Sequence, residues 1–81
     1  MSQAHDLSLY IRPTCPFCVK VLNHMERKGV EIPLKNISQD PDAAATLIRV
    51  GGKRQVPCLF IDGEALYESG DIITWIDEHL C

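Results

Sequence analysis

The stretch Leu7-Ser8-Leu9-Tyr10-Ile11-Arg12-Pro13-Thr14-Cys15-Pro16-Phe17-Cys18 decides how the rest of the chain is read. Leu7 to Ile11 alternates at period two and reads as a strand. Pro13 stops it, because proline cannot donate to a sheet ladder. Pro16 then opens a helix, where a missing N–H costs nothing in the first turn. A strand ends, a helix begins, and two thiols spaced Cys-x-x-Cys stand at the junction. That context points to redox chemistry.

Reading outward, the helix runs from Pro16 to Lys28, with Cys18, Leu22 and Met25 on one stripe and Val21 beside it. Arg27 and Lys28 suit its C-terminal end, and Gly29 stops it. Val30 to Ile37 alternates again, and Pro33 within it marks an edge strand. Asp40 is the expected cap of a second helix that starts at Pro41 and ends at Gly51-Gly52. Ala44, Leu47 and Ile48 are its expected apolar face. Val56 to Ile61 reads as a strand, Asp62-Gly63 as a two-residue hairpin turn, and Glu64 to Tyr67 as the returning strand. Ser69 is expected to cap a last helix with Asp71 in its first turn, burying Ile72, Ile73, Ile76 and Leu80.

The order β-α-β-α-β-β-α predicts one α/β domain over residues 1–81, a four-stranded mixed sheet flanked by three helices. Strands separated by helices are expected to be parallel with right-handed crossovers, and the last pair antiparallel.

Composition narrows the class. A chain of 81 residues buries about 60% of the surface its unfolded form exposes. Hydrophobic residues at 46% and charged residues at 23% describe a globular chain. The net charge of −3, without a basic run, gives no footprint for nucleic acid. No apolar run reaches the roughly 20 residues of a membrane span. Met1 to Asp6 lacks a basic region followed by an apolar one, so no secretory signal is read and the expected compartment is cytoplasmic. Of four cysteines only Cys15 and Cys18 lie close together, which argues against a secreted disulfide scaffold.

The chemistry at the pair follows from its position. Cys15 falls at the start of the helix, where the free N–H groups of Phe17 and Cys18, the helix dipole and nearby Arg12 all favour a sulfur anion. Its pKa should drop from about 8.5 into the range of roughly 3.5–7.5. Cys18 lies one turn further in, among apolar neighbours, and should stay protonated and act second. The rival use of Cys-x-x-Cys is half of a zinc site. The remaining ligands would have to come from Cys58, Cys81, His5, His24 or His79, none of which forms a second close pair, so no metal site is expected.

With these residues in place, the sequence resembles the glutaredoxins, the glutathione-using branch of the thioredoxin fold, over nearly its whole length. Cys15-Pro16-Phe17-Cys18 looks like the dithiol active site, with Phe17 where tyrosine is commoner. Gln55-Val56-Pro57 looks like the Thr-Val-Pro segment, whose proline is cis in that family. Glu68-Ser69-Gly70-Asp71 stands where glutaredoxins carry Gly-Gly-x-x-Asp, and its Glu-Ser pair is closer to the glutathione-binding segment of glutathione transferases. Tyr67 and Glu68 replace the two glycines.

The resemblance implies a glutathione-dependent thiol–disulfide oxidoreductase with Cys15 as nucleophile and Cys18 as resolving thiol. It implies that Arg12, Phe17, Gln55, Val56, Pro57, Glu68, Ser69, Gly70 and Asp71 bind glutathione, the co-substrate, and that no cofactor is held permanently. The implied partners are glutathione and glutathionylated or disulfide-bonded proteins, with neither nucleic acid nor membrane, and the chain is expected to act as a monomer. The alternatives are a carrier of an iron–sulfur cluster ligated by Cys15 and glutathione, and a non-catalytic glutathione-binding interaction domain. Lys53 and Arg54 are further candidate contacts. Cys58 is expected to be a buried small hydrophobe or, alternatively, a third redox participant. Cys81 is expected to be a frayed terminal thiol, and Trp75 a packing residue.

Overall fold

The alternating segment does form a strand, β1 (Leu7–Ile11), in a computed structural model that describes residues 6–80. It is followed by α1 (Pro16–Lys28), β2 (Leu34–Asn36), α2 (Pro41–Gly51), β3 (Cys58–Ile61), β4 (Glu64–Leu66) and α3 (Ser69–His79). Cys81 lies outside the described residues. The sheet order is β2-β1-β3-β4, which is the thioredoxin-like fold expected. Among the described residues no helix is long and apolar enough to cross a membrane.

Alternation sorts side chains to the two faces of the sheet. Leu9, Ile11 and Leu59 join Cys18, Val21, Met25, Ile72 and Ile76 beneath α1 and α3. Tyr10, Cys58 and Phe60 point the other way and join Ile37, Ala43 and Leu47 beneath α2. The sheet thus separates two small cores, one for each helical layer.

β1 and β2 are parallel, as expected. β3, although separated from β2 by a helix, runs antiparallel to β1, with Tyr10 opposite Cys58 and Leu7 opposite Ile61. The parallel expectation fails here because residue periodicity encodes the face of a strand and not its direction. Gly52 to Pro57 gives the chain enough length after α2 to enter at the opposite end of β1. This reversal is decisive for the site. It brings the start of β3 beside the end of β1, where Cys15 follows. β4 pairs antiparallel with β3, Leu59 opposite Leu66, so its end arrives at the same edge. Asp62 and Gly63, both with positive φ (52° and 90°), make the tight turn at the far edge.

Several boundaries move. β2 is confined to Leu34–Asn36 rather than Val30 to Ile37, because Pro33 has no N–H for the ladder. Ile32 is buried all the same. β3 begins at Cys58, after Val56-Pro57, and β4 ends at Leu66. Asp40 caps α2 as expected, accepting from the N–H groups of Asp42 (3.0 Å) and Ala43 (3.3 Å). The buried face of α2 is Ala43 and Leu47, with Ala44 at its margin, while Ile48 is 47% exposed. The expected face of Ala44, Leu47 and Ile48 is turned by about one residue, because Ala43, Ala44 and Ala45 are equally apolar and the pattern does not distinguish which of them faces the sheet. Ser69 is the first helical residue of α3 and not its cap. Glu68 is the cap residue, without a capping hydrogen bond from its side chain.

Along α1 the buried positions are Cys18, Val21, His24 and Met25, and Leu22 is only partly covered. His24 takes an apolar stripe position because both ring nitrogens have partners. Nε2 lies 2.8 Å from Asp77 Oδ1 on α3, and Nδ1 lies 3.3 Å from the guanidinium of Arg27.

Candidate active site

The Pro13-Thr14 turn is closed by Cys15 N–H donating to the carbonyl of Arg12 at 3.0 Å. Cys15 is then the N-cap of α1, extended at φ −85°, ψ 119°, and its carbonyl accepts the first helical bond from Val19 N–H. A cap residue with no oxygen on its side chain leaves the first N–H groups of the helix facing its sulfur.

Partial burial pushes the Cys15 pKa up. The N–H of Cys18, the Cys18 thiol, the N–H of Phe17 and the charge of Arg12 outweigh that and bring it below the ordinary thiol value. Cys18 is fully buried beneath it, and burial drives its pKa up to about 11, even though its Sγ accepts the N–H of Arg12 at 3.5 Å. Depth thus favours the neutral form at Cys18 and the anion at Cys15. Two thiols one helical turn apart are polarised in opposite senses by their depth.

Cys15 Sγ faces the carbonyl of Val56 at 3.9 Å across the reversed start of β3. The Val56-Pro57 peptide bond is cis, as the resemblance implied. Beside it runs a cleft of about 140 Å³ lined by Phe17, Gln55, Val56, Pro57, Tyr67, Glu68 and Ser69. Phe17 is 61% exposed on its rim. The structure thus gathers six of the expected binding residues around one cleft. Arg12, Gly70 and Asp71 are not among its lining residues, and neither are Lys53 and Arg54. Arg12 acts on the cysteines through its N–H and its charge.

Three further residues lie outside the expected binding set. Tyr67 lines the cleft and hydrogen-bonds the backbone of Lys53, a role that a single sequence does not signal because Lys53 is 14 residues away. Cys58 is fully buried on the α2 face of the sheet, in the core that includes Tyr10 and Leu47, and so is turned away from Cys15 and Cys18. That placement suits the small-hydrophobe role. Trp75 stacks on His79 at 4.5 Å between ring centroids and packs against the α1–α3 core, in keeping with its expected packing role.

Residues 7–66 match the family model described as Glutaredoxin. A probable glutaredoxin of Synechocystis is 37% identical over 73 residues, which cover 89% of this chain and 83% of that protein. Among solved structures, a buckwheat glutaredoxin–glutathione complex superposes with a TM-score of 0.68 at 22% identity, covering 91% of this chain and 69% of that one. Glutathione transferase Omega 3C of Trametes versicolor superposes with a TM-score of 0.79 at 24% identity, covering 98% of this chain and 35% of that one. At such identities the two structures show the shared fold.

Proposed function

The chain belongs to the glutaredoxin family, whose members are thiol–disulfide oxidoreductases, and on that premise we propose that it reduces glutathione mixed disulfides and protein disulfides with glutathione as the electron source. The observation that carries this reading is the opposite polarisation of Cys15 and Cys18 beside the cleft at Val56-Pro57.

In the proposed cycle the Cys15 thiolate attacks the glutathionyl sulfur of the substrate. The Cys15–glutathione bond forms as the old disulfide breaks, and the substrate sulfur leaves with the electron pair and takes up a proton. A second glutathione thiolate then attacks the glutathione sulfur on Cys15 and releases oxidised glutathione and the Cys15 thiolate. With a protein disulfide, Cys15 forms a mixed disulfide with the protein instead. Cys18 attacks it, its proton passing to the departing protein thiolate, and a Cys15–Cys18 disulfide results. Two glutathiones reduce that disulfide. In the first case one free glutathione and the substrate's own glutathionyl group leave as oxidised glutathione; in the second, two glutathiones supply the two electrons. Glutaredoxin potentials of about −200 to −230 mV suit the glutathione pool of the cytosol, the compartment we assign.

The high Cys18 pKa keeps its proton available until the leaving thiolate needs it. Glutathione itself is assigned to the cleft. There the backbone of Val56 would pair with an extended tripeptide, and the free N–H groups at the start of α3, with Ser69 and Glu68, would hold its charged γ-glutamyl end. Arg12, Phe17, Gln55, Pro57, Gly70 and Asp71 complete the proposed binding set. The buckwheat relative, solved with glutathione, supports this assignment.

The test is a coupled assay with glutathione, glutathione reductase and a glutathionylated peptide. The wild-type chain is expected to turn over, and Cys15→Ser to lose at least about a thousandfold. Substantial turnover by Cys15→Ser, or none by the wild type, would sink the assignment.

A further inference from the structure

The cleft has two walls that come from distant parts of the chain. One is Gln55-Val56-Pro57, at the end of an irregular segment that begins at Gly52. The other is Tyr67-Glu68-Ser69, which leads from the end of β4 into the first residue of α3. A single phenol joins them. The Tyr67 hydroxyl accepts the Lys53 N–H at 3.2 Å and donates to the Lys53 carbonyl at 3.3 Å. The Lys53 ammonium stands 5.5 Å from the centre of the Tyr67 ring, within cation–π range. Tyr67 also packs against the α2-side core, so its ring is seated as well as bonded.

Room for this arrangement comes from Gly51. A Cβ there would collide with the Tyr67 hydroxyl and crowd the Phe60 ring. The φ of Gly51 is not left-handed, so what requires glycine at this position is the nearness of Tyr67. Burial pushes the Tyr67 pKa up, with the Cys58 thiol reinforcing it and the Lys53 backbone opposing it, so the hydroxyl keeps its proton to donate at neutral pH.

Resting on the glutathione reading above, we propose that Tyr67 is a positioning residue. It ties the loop before Pro57 to the entry of α3, fixes the width of the cleft, and so sets the preference for a glutathionyl group over a smaller thiol on the substrate disulfide. A tripeptide has to touch both walls at once, whereas a two-carbon thiol touches neither fully. Loosening the tie therefore weakens the first far more than the second.

The experiment uses reduced protein and two peptides of one sequence, whose single cysteine carries either glutathione or 2-mercaptoethanol. Release of the peptide thiol is followed under single-turnover conditions, and the ratio of the two second-order rate constants is the readout. The wild type is expected to favour the glutathionyl peptide. Tyr67→Phe, which keeps the ring and removes both hydrogen bonds, is expected to lower that ratio about threefold to tenfold. Gly51→Ala, which displaces the phenol without altering it, is expected to lower it as well. A thermal melt of each variant establishes that it is folded. If both rate constants fall together in Tyr67→Phe, or neither moves, the assignment of Tyr67 is overturned while the glutathione reading stands. If the wild type does not distinguish the peptides, the glutathione reading falls and the positioning role falls with it.

Discussion

Cys18 and Cys58 are both fully buried, both carried on regular structure, and both pushed up to about 11 by burial. They lie on opposite faces of one four-stranded sheet. Judged by acidity alone they are the same thiol. What separates them is company. Cys18 lies one turn beneath a second, acidified sulfur and receives the Arg12 N–H. Cys58 has the Leu66 backbone amide, Tyr10 and aliphatic neighbours. A buried thiol becomes a resolving thiol by proximity to a nucleophile, and a high pKa then only orders the steps.

The comparison can be broken most sharply by removing each thiol in turn. Cys18→Ser is expected to retain reduction of glutathione mixed disulfides but to lose most reduction of protein disulfides, since only the latter needs the second attack. Equal loss of both activities would contradict the division of labour. Cys58→Ala is expected to leave both activities in place and to cost about 1 kcal/mol of stability for one buried heavy atom, read from denaturant melts. A change in its turnover would bring Cys58 back into the chemistry.

A finer probe uses pH. Both buried thiols have folded-state pKa values above the ordinary thiol value of about 8.5, so burial favours their neutral forms. Between that value and about 11 the unfolded chain releases protons that the folded chain keeps, and stability falls as pH rises through this window. Cys15 has the opposite sign. Its lowered folded-state pKa contributes stability that is present above the ordinary thiol pKa and lost as pH falls through the folded value. Cys58→Ala should flatten the alkaline loss without moving the thiolate absorbance of Cys15. An unchanged alkaline slope in Cys58→Ala would show that its burial is not what drives it.

The smallest effect lies on the α2 face. Asp40→Ala removes the cap that holds the Asp42 and Ala43 N–H groups and is expected to cost about 1 kcal/mol. Turnover per folded molecule should stay as it is, because α2 supplies no residue to the lining of the cleft. A fall in turnover per folded molecule would mean that the two faces are coupled through the sheet.

The difference between the faces also explains what could be read from the sequence. Cys15, Pro16 and Cys18 were legible because strand end, helix start and thiol spacing are local signals. The Asp40 cap and the Asp62-Gly63 turn were legible for the same reason. The direction of β3 was not, since period-two burial is identical in either direction. The phase of α2 was blurred by three successive alanines. His24 was hidden because its acceptability inside depends on Asp77, 53 residues further on. Tyr67 read as a departure from a glycine pair, and only its closeness to Gly51 and Lys53 gives it a purpose.

The reversal of β3 has a consequence for how the molecule acquires its behaviour over time. Every group that acidifies Cys15 lies between Arg12 and Cys18. The cleft requires Val56 to arrive from 41 residues away, and Tyr67 to follow it. Contacts of high sequence separation form late because their loop entropy must be overcome first. Reactivity in this protein is encoded locally, between Arg12 and Cys18, and discrimination globally, through segments that only the closed sheet brings together.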